Sequence, residues 1–131
     1  MTSAMTSRAQ ILTEIDAITA VAARLAAIAG RSDAQRKQDL VAARRELAMR
    51  IMTVMTIGEA YRPLRDHPTL YPELRQRVNA MRAAIADHQA RWSAVAIDSD
   101  DAAYIASSAA VQAMGRDLMG WIRSSVTSLP E

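Results

Sequence analysis

Residues 74–92 read LRQRVNAMRAAIADHQARW, and the spacing of their apolar members decides the fold. Leu74, Val78, Met81, Ile85, His88 and Trp92, continued by Val95, are separated alternately by four and three positions. On a helix of about 3.6 residues per turn that spacing lines a single stripe, and the charged Arg75, Arg77, Arg82, Asp87 and Arg91 fall off it. A stripe of this kind is stable only when it is buried against a partner.

The same rhythm extends in both directions. Upstream, Ile11, Ile15, Ile18, Ala22, Leu25 and Ala29 form one stripe. Leu40, Leu47, Val54 and Tyr61 form another with a heptad repeat, and Ile51 and Gly58 are interleaved. Downstream, Tyr104, Val111, Leu118, Ile122 and Val126 follow the pattern more loosely. Stop signals separate the four. Ser7 with Gln10 and Ser32 with Gln35 fit a capping box. Gly30 suits a left-handed turn after the first helix. Pro63 and Pro68 bracket a loop, because neither can donate a helical hydrogen bond. Thr69 is placed to cap the third helix, with Pro72 tolerated in its first turn. Asp98 and Asp101 read as the acidic start of the fourth. The pattern predicts helices near 7–29, 33–60, 70–96 and 99–127. Two of the links are short, which forces antiparallel neighbours. The expected fold is all-α, a single domain over residues 1–131 built as an up-down-up-down antiparallel four-helix bundle.

Composition agrees and narrows the function classes. Half of the 131 residues are apolar and 27 are alanine, against 4 Gly, 4 Pro and no Phe. That excludes a disordered tail, a collagen-like repeat and most all-β designs. With no Cys, disulfide scaffolds, thiolate metal sites and cysteine nucleophiles are excluded. No apolar run approaches the ~18 residues a membrane span needs, and the polar Met1–Gln10 stretch lacks a signal-like apolar core, so a cytoplasmic location is expected. Residues 30–92 carry 12 basic and 7 acidic side chains, while residues 93–131 carry 2 and 5. Asp33–Lys37, Glu46–Arg50, Glu73–Arg77 and Asp87–Arg91 stand at i,i+4 with the acid first, the favourable order on a solvated helix face. The basic middle is therefore read as solvated helix surface and not as a nucleic-acid patch.

The second helix runs into Tyr61-Arg62-Pro63-Leu64 and the fourth into Leu129-Pro130-Glu131. With Arg45-Glu46-Leu47, the Arg65-Asp66-His67-Pro68 turn and Asp87-His88-Gln89-Ala90-Arg91-Trp92, this resembles the hemerythrin-like (HHE cation-binding) family. The resemblance implies a four-helix bundle and, in that family, a di-iron centre held by His and carboxylates in a His-x-x-x-Glu-Glu pattern ahead of the Pro. Here those positions hold Thr53, Ile57 and Gly58 in the second helix and Gly120, Ser124 and Ser125 in the fourth. The first helix has no His, and only Glu59 survives as a carboxylate in the motif region. The resemblance therefore implies a degenerate member that has lost its iron ligands, with no metal and no cofactor.

His88 and Trp92 are the candidate ligand-binding residues. One reading makes His88 a neutral core histidine bonded to a nearby backbone or hydroxyl group, its pKa lowered by burial. The other makes His88 and Trp92 the lining of a small pocket for an apolar or anionic ligand. Met49, Met52 and Met55 drift across the second helix, so some of them are expected at the surface. Trp121 is expected at the rim of the fourth stripe. Asp98, Asp100 and Asp101 lack the loop of a calcium site, and capping accounts for them. No nucleophile elbow or phosphate-cradling glycine loop occurs, so no catalytic residue is assigned and the chain is not read as an enzyme.

Three functions follow as expectations. The first is a non-enzymatic bundle serving as an interaction or regulatory module, with a protein partner or itself. A homodimer would use Val41, Met49, Met52 and Ile57. The second is a small-ligand binder around His88 and Trp92. The third is a metal- or oxygen-binding protein with atypical ligands, which needs His88 near Glu59, Asp16 or Glu14. Neither nucleic acid nor membrane is an expected partner.

Overall fold

The computed structural model describes residues 5–131, so the first four positions of the polar Met1–Gln10 stretch lie outside it. The chain is all-α, with no strand among the described residues. Its elements are α1 (Ser7–Ala29), α2 (Arg36–Ala60), a single-turn α3 (Arg62–Arg65), α4 (Leu70–Arg91), a 3₁₀ turn (Ala96–Asp98) and α5 (Asp101–Thr127).

The helix ends depart from the expected caps for identifiable reasons. Thr6, not Ser7, caps α1, its hydroxyl accepting from the Ala9 N–H at 3.1 Å, and the Gln10 amide donates back to the Met5 carbonyl. Gly30 is right-handed at φ −90°, so the α1 end needs no glycine conformation. The second helix starts at Arg36 and not near 33, because Asp33 turns to accept from the Gln35 N–H and grips Arg31 at 2.7 Å. That bidentate guanidinium pair holds the Asp33 carboxyl at about 2. The Thr69 side chain caps nothing. His67 takes that role, its Nδ1 accepting from the N–H groups of Thr69 and Leu70 at 3.2 and 3.1 Å. Asp100 caps α5 through the Ala103 N–H.

The largest departure is at the end of the third expected helix. It stops at Arg91 instead of 96. Trp92 leaves helical geometry at ψ 63° and turns its indole into the core, while the Arg44 guanidinium draws off its carbonyl at 2.6 Å. The stripe is interrupted there. Val95 is 83 % exposed, and Ile97 on the 3₁₀ turn occupies the buried position at 0 %.

Helix α1 packs on α2 and on α5, and α4 packs on α5. Glu14 meets Arg50 and Ile28 meets Arg36. Asp16 meets Arg123 and Arg8 meets Leu129. Met81 meets Gly115 and His88 meets Ser107. In each pair of helices, residue numbers rise on one as they fall on the other. At the far end the Tyr61 hydroxyl donates to the Pro130 carbonyl, tying the end of α2 to the C-terminal segment. Of the four i,i+4 pairs, Glu46–Arg50 and Glu73–Arg77 form as ion pairs, whereas Lys37 is drawn to Asp98 and Asp33 to Arg31.

The core falls into two clusters. The larger joins Ile11, Ile15, Ile51, Val54, Leu74, Val78, Leu118 and Ile122 with their neighbours. The smaller joins Ile28, Leu40, Ala43, Trp92, Ile97 and Tyr104. Between them Ala22, Leu25, Ile85, His88 and Val111, all stripe positions, are only half-buried. The stripes lose their cover at one level of the molecule, and that level holds the site.

Candidate functional site

Small residues open this waist. On α1, Ala22, Ala23 and Ala26 border a gap whose wall also includes Gly115 of α5. A cavity of about 250 Å³ results, its floor made by Ile18, Leu47, Ile51, Met81 and Met119. A Cβ at Gly115 would come within 3.1 Å of the Met81 Cε, so glycine keeps the passage beside Met81 clear. The walls are almost wholly apolar, and only Thr19, Gln112 and Arg116 contribute polar groups.

A second cavity of about 30 Å³ adjoins it and shares Leu25, Leu47, Val111 and Gln112 in its wall. Its wall is mixed: Leu40 and Ile85 stand in it beside Arg44, His88, Gln89, Tyr104 and Ser108. His88 stands in the last turn of α4 with its Nδ1 2.7 Å from the Ser107 Oγ. Its ring stacks on Tyr104 at 5.9 Å between centroids and 18° between planes. Burial is the main cause that lowers the His88 pKa, and the neighbouring Arg44 charge pushes the same way. Burial raises the Tyr104 phenol above its usual value, opposed by Arg44 and Arg36. Burial also lowers the Arg44 pKa. Arg44 remains a cation, since guanidinium does not deprotonate in proteins. Its one protein partner is the Trp92 carbonyl, and among the described residues it pairs with no carboxylate.

The expected pair is therefore split by the fold. His88 borders the small cavity, but Trp92 does not. Trp92 sits behind it at 5 % exposure, tilted against Tyr104 with centroids 5.8 Å apart, and its indole N–H is buried without a partner. Both readings of His88 describe part of what is seen: its ring bonds a hydroxyl group, and it also lines a cavity.

Sequence reasoning missed two arginines, Arg44 and Arg36. Arg36 is 4 % exposed. It donates to the Ile28 and Ala29 carbonyls at 3.3 and 3.0 Å, reaches Asp98 and Asp101, and lies 5.4 Å from the Tyr104 ring centre. Asp98 and Asp101 thus serve Arg36 more than a helix start. The acidic groups expected beside His88 are elsewhere: Asp16 pairs with Arg123, Glu14 with Arg50, and Glu59 borders the groove between α2 and α4.

The residues do not fit a di-iron centre. Among the described residues, no three of His, Cys, Asp or Glu form a group able to hold a metal. Thr53 is exposed and bonded to the Met49 carbonyl. The space beside Gly58 is filled by Leu64 and Leu74, 3.4 and 3.6 Å from where a Cβ would stand. Nothing lies within 4 Å of a Cβ at Gly120, an exposed position. Among the described residues no acid bonds the other ring nitrogen of His88, and Ser107 lies inside α5, whose backbone N–H groups there are committed to the helix.

No helix among the described residues is long and apolar enough to cross a membrane. Compared with models of protein families, with curated proteins and with solved structures, the chain gives no significant match.

Proposed function

We propose that the protein is a non-enzymatic up-down-up-down four-helix bundle that binds a small apolar ligand between α1 and α5. The opposed residue numbering at each pair of packed helices supports the bundle topology. The resemblance to the hemerythrin-like family enters as ancestry: a bundle of that type in which Gly58 stands against Leu64 and Leu74 where a ligand is expected, while Thr53, Gly120 and Ser124 are exposed.

The observation that carries the binding reading is the 250 Å³ cavity, apolar on nearly every wall. An enclosed engineered cavity of ~150 Å³ binds benzene, and this larger space, partly open to solvent beside the exposed Ala23, Ala26 and Arg116, has room for roughly ten carbon atoms. A domain with no binding role gains stability by filling such a space, because each missing contact costs dispersion energy.

The test is a thermal melt with benzene, indole and 1-decanol. A ligand at a hundred times its Kd stabilises by about 2.7 kcal/mol. With an unfolding entropy of about 2.1 cal/mol/K per residue, the midpoint for a chain of this length rises by about 10 °C. No shift with any of the three at saturation refutes the reading. Purified protein that carries iron or manganese in a reproducible whole-number ratio would overturn the metal-free part of it.

A second reading, an interaction or regulatory module, rests on the outer face of α2. Val41, Met49 and Met52 are exposed there at 44, 63 and 57 %. Such a face suits a protein partner or a second copy. Sedimentation that finds a strict monomer at high concentration removes the second copy.

A further inference from the structure

We infer that the ligand is a hydrophobic monocarboxylate, its tail between α1 and α5 and its carboxylate in the small cavity beside Arg44. The inference rests on the apolar-cavity reading and adds the identity of the headgroup. Its first support is charge. Among the described residues, the wall of the small cavity includes Arg44 and no acidic side chain. Arg44 is half-buried, and its one hydrogen bond among the described residues is to a neutral carbonyl. A cation held partly out of water without a counter-charge is costly, and an anion in reach offsets that cost. A guanidinium also matches a carboxylate geometrically, offering two parallel N–H donors.

The second support is unused hydrogen-bonding capacity. Tyr104 is 1 % exposed and Ser108 8 % exposed, both border the cavity, and neither hydroxyl takes part in a hydrogen bond among the described residues. Neither oxygen is fully enclosed, since the Trp92 indole N–H is the one buried side-chain polar atom without a partner among the described residues, so both hydroxyl groups are free to bond a ligand or water. Two residues with hydroxyl groups share the wall with Arg44 and add donors for an oxyanion. The Gln112 side chain stands in both walls, at the junction where a headgroup passes into a tail.

The third support is size. The small cavity measures about 30 Å³. A single water needs some 10–15 Å³, so the space suits a compact headgroup of about two oxygens.

The experiment is calorimetric titration of the full chain with decanoate and with 1-decanol, which share a tail and differ in charge. Wild type is expected to bind decanoate at least tenfold more tightly than decanol. Arg44→Met is expected to weaken decanoate ten- to a hundredfold and to leave decanol within threefold. Arg44→Lys, which keeps the charge but loses the paired donors, should fall between the two. Ala22→Leu, which fills the tail cavity, should weaken both ligands. Should Arg44→Met fail to fold, Ser108→Asp provides the check: a carboxylate built into the wall should weaken decanoate tenfold or more and spare decanol. Equal affinity of wild type for the two ligands overturns the headgroup assignment and leaves the apolar cavity standing, as does an Arg44→Met variant that loses both equally. Decanoate binding that Ala22→Leu leaves unchanged overturns the tail placement. Binding of neither ligand to wild type refutes the cavity reading itself.

Discussion

Replacing Arg36 by Met should be among the most damaging single changes in this chain, although the residue is charged and is the first of its helix, next to a loop. The side chain is 4 % exposed and ties three segments together. It closes the C-terminus of α1 by donating to the carbonyls of Ile28 and Ala29, and it holds the start of α5 through Asp98 and Asp101. A hydrogen bond from a charged donor is worth about 1.5–3 kcal/mol, so the two buried carbonyl contacts account for roughly 3–6 kcal/mol gross. Met recovers part of this by packing on Tyr104 and is spared the desolvation of a buried guanidinium. The net loss should be about 3 kcal/mol. At an unfolding entropy of about 2.1 cal/mol/K per residue, the melting midpoint falls by about 11 °C. Arg36→Lys keeps the charge and loses the fork, so about half of that loss is expected. Asp98→Asn and Asp101→Asn should each do less than Arg36→Met, because their carboxylates are 56 and 65 % exposed and return to water when released. The assay is urea denaturation followed by circular dichroism, with the thermal midpoint measured in parallel. An Arg36→Met variant within 3 °C of wild type, or one less damaging than Asp98→Asn, would show that the buried contacts do not hold this end together.

The His88 pKa lies below its unfolded value, so the unfolded chain binds the extra proton first as pH falls. The stability it contributes is complete above about pH 6.5 and is lost as pH drops from there toward the depressed folded value. Denaturation curves across that window should show the slope, His88→Gln should abolish it, and an unchanged slope in the variant would refute the assignment. The carboxylates of Asp33, Glu46 and Asp98, all lowered by arginine or lysine partners, lose their contribution further down, below about pH 4. Gly120 sits inside α5 with nothing within 4 Å of a Cβ, so Gly120→Ala should stabilise by about 0.5–1 kcal/mol through helix propensity. A destabilised Gly120→Ala protein would mean that the position is not free. Ile97→Ala should cost about 2–5 kcal/mol in denaturant unfolding, since the side chain is fully enclosed, whereas Val95→Ala should be nearly neutral. Equal effects at the two positions would place the buried residue of this turn wrongly.

The site was legible in part. His88 stood out because a histidine on an apolar stripe needs a partner, and Ser107 supplies one. The identity of that partner depends on how α5 slides along α4, which nothing within either segment records. Trp92 was legible as buried but not as the residue that ends its helix. Its carbonyl leaves the helical pattern to meet Arg44, a group 48 positions away. The stripe rule then failed at Val95, because the rule assumes that the helix continues. Arg36 and Arg44 carried no signal, since an arginine near the start of a long polar-faced helix reads as surface.

The amino-acid sequence alone determined four long helices and the face each one buries. Those properties arise from the 3.6-residue period of a single backbone, and nearly every stripe residue except Val95 is buried or half-buried as that period requires. Only the tertiary structure decided where the core divides, that Ala22 and Gly115 border one open waist, and that Arg44, without a carboxylate partner among the described residues, stands beside it. Such features depend on the register between helices. Register is set by the summed packing of residues far apart in the chain, and no local period encodes it.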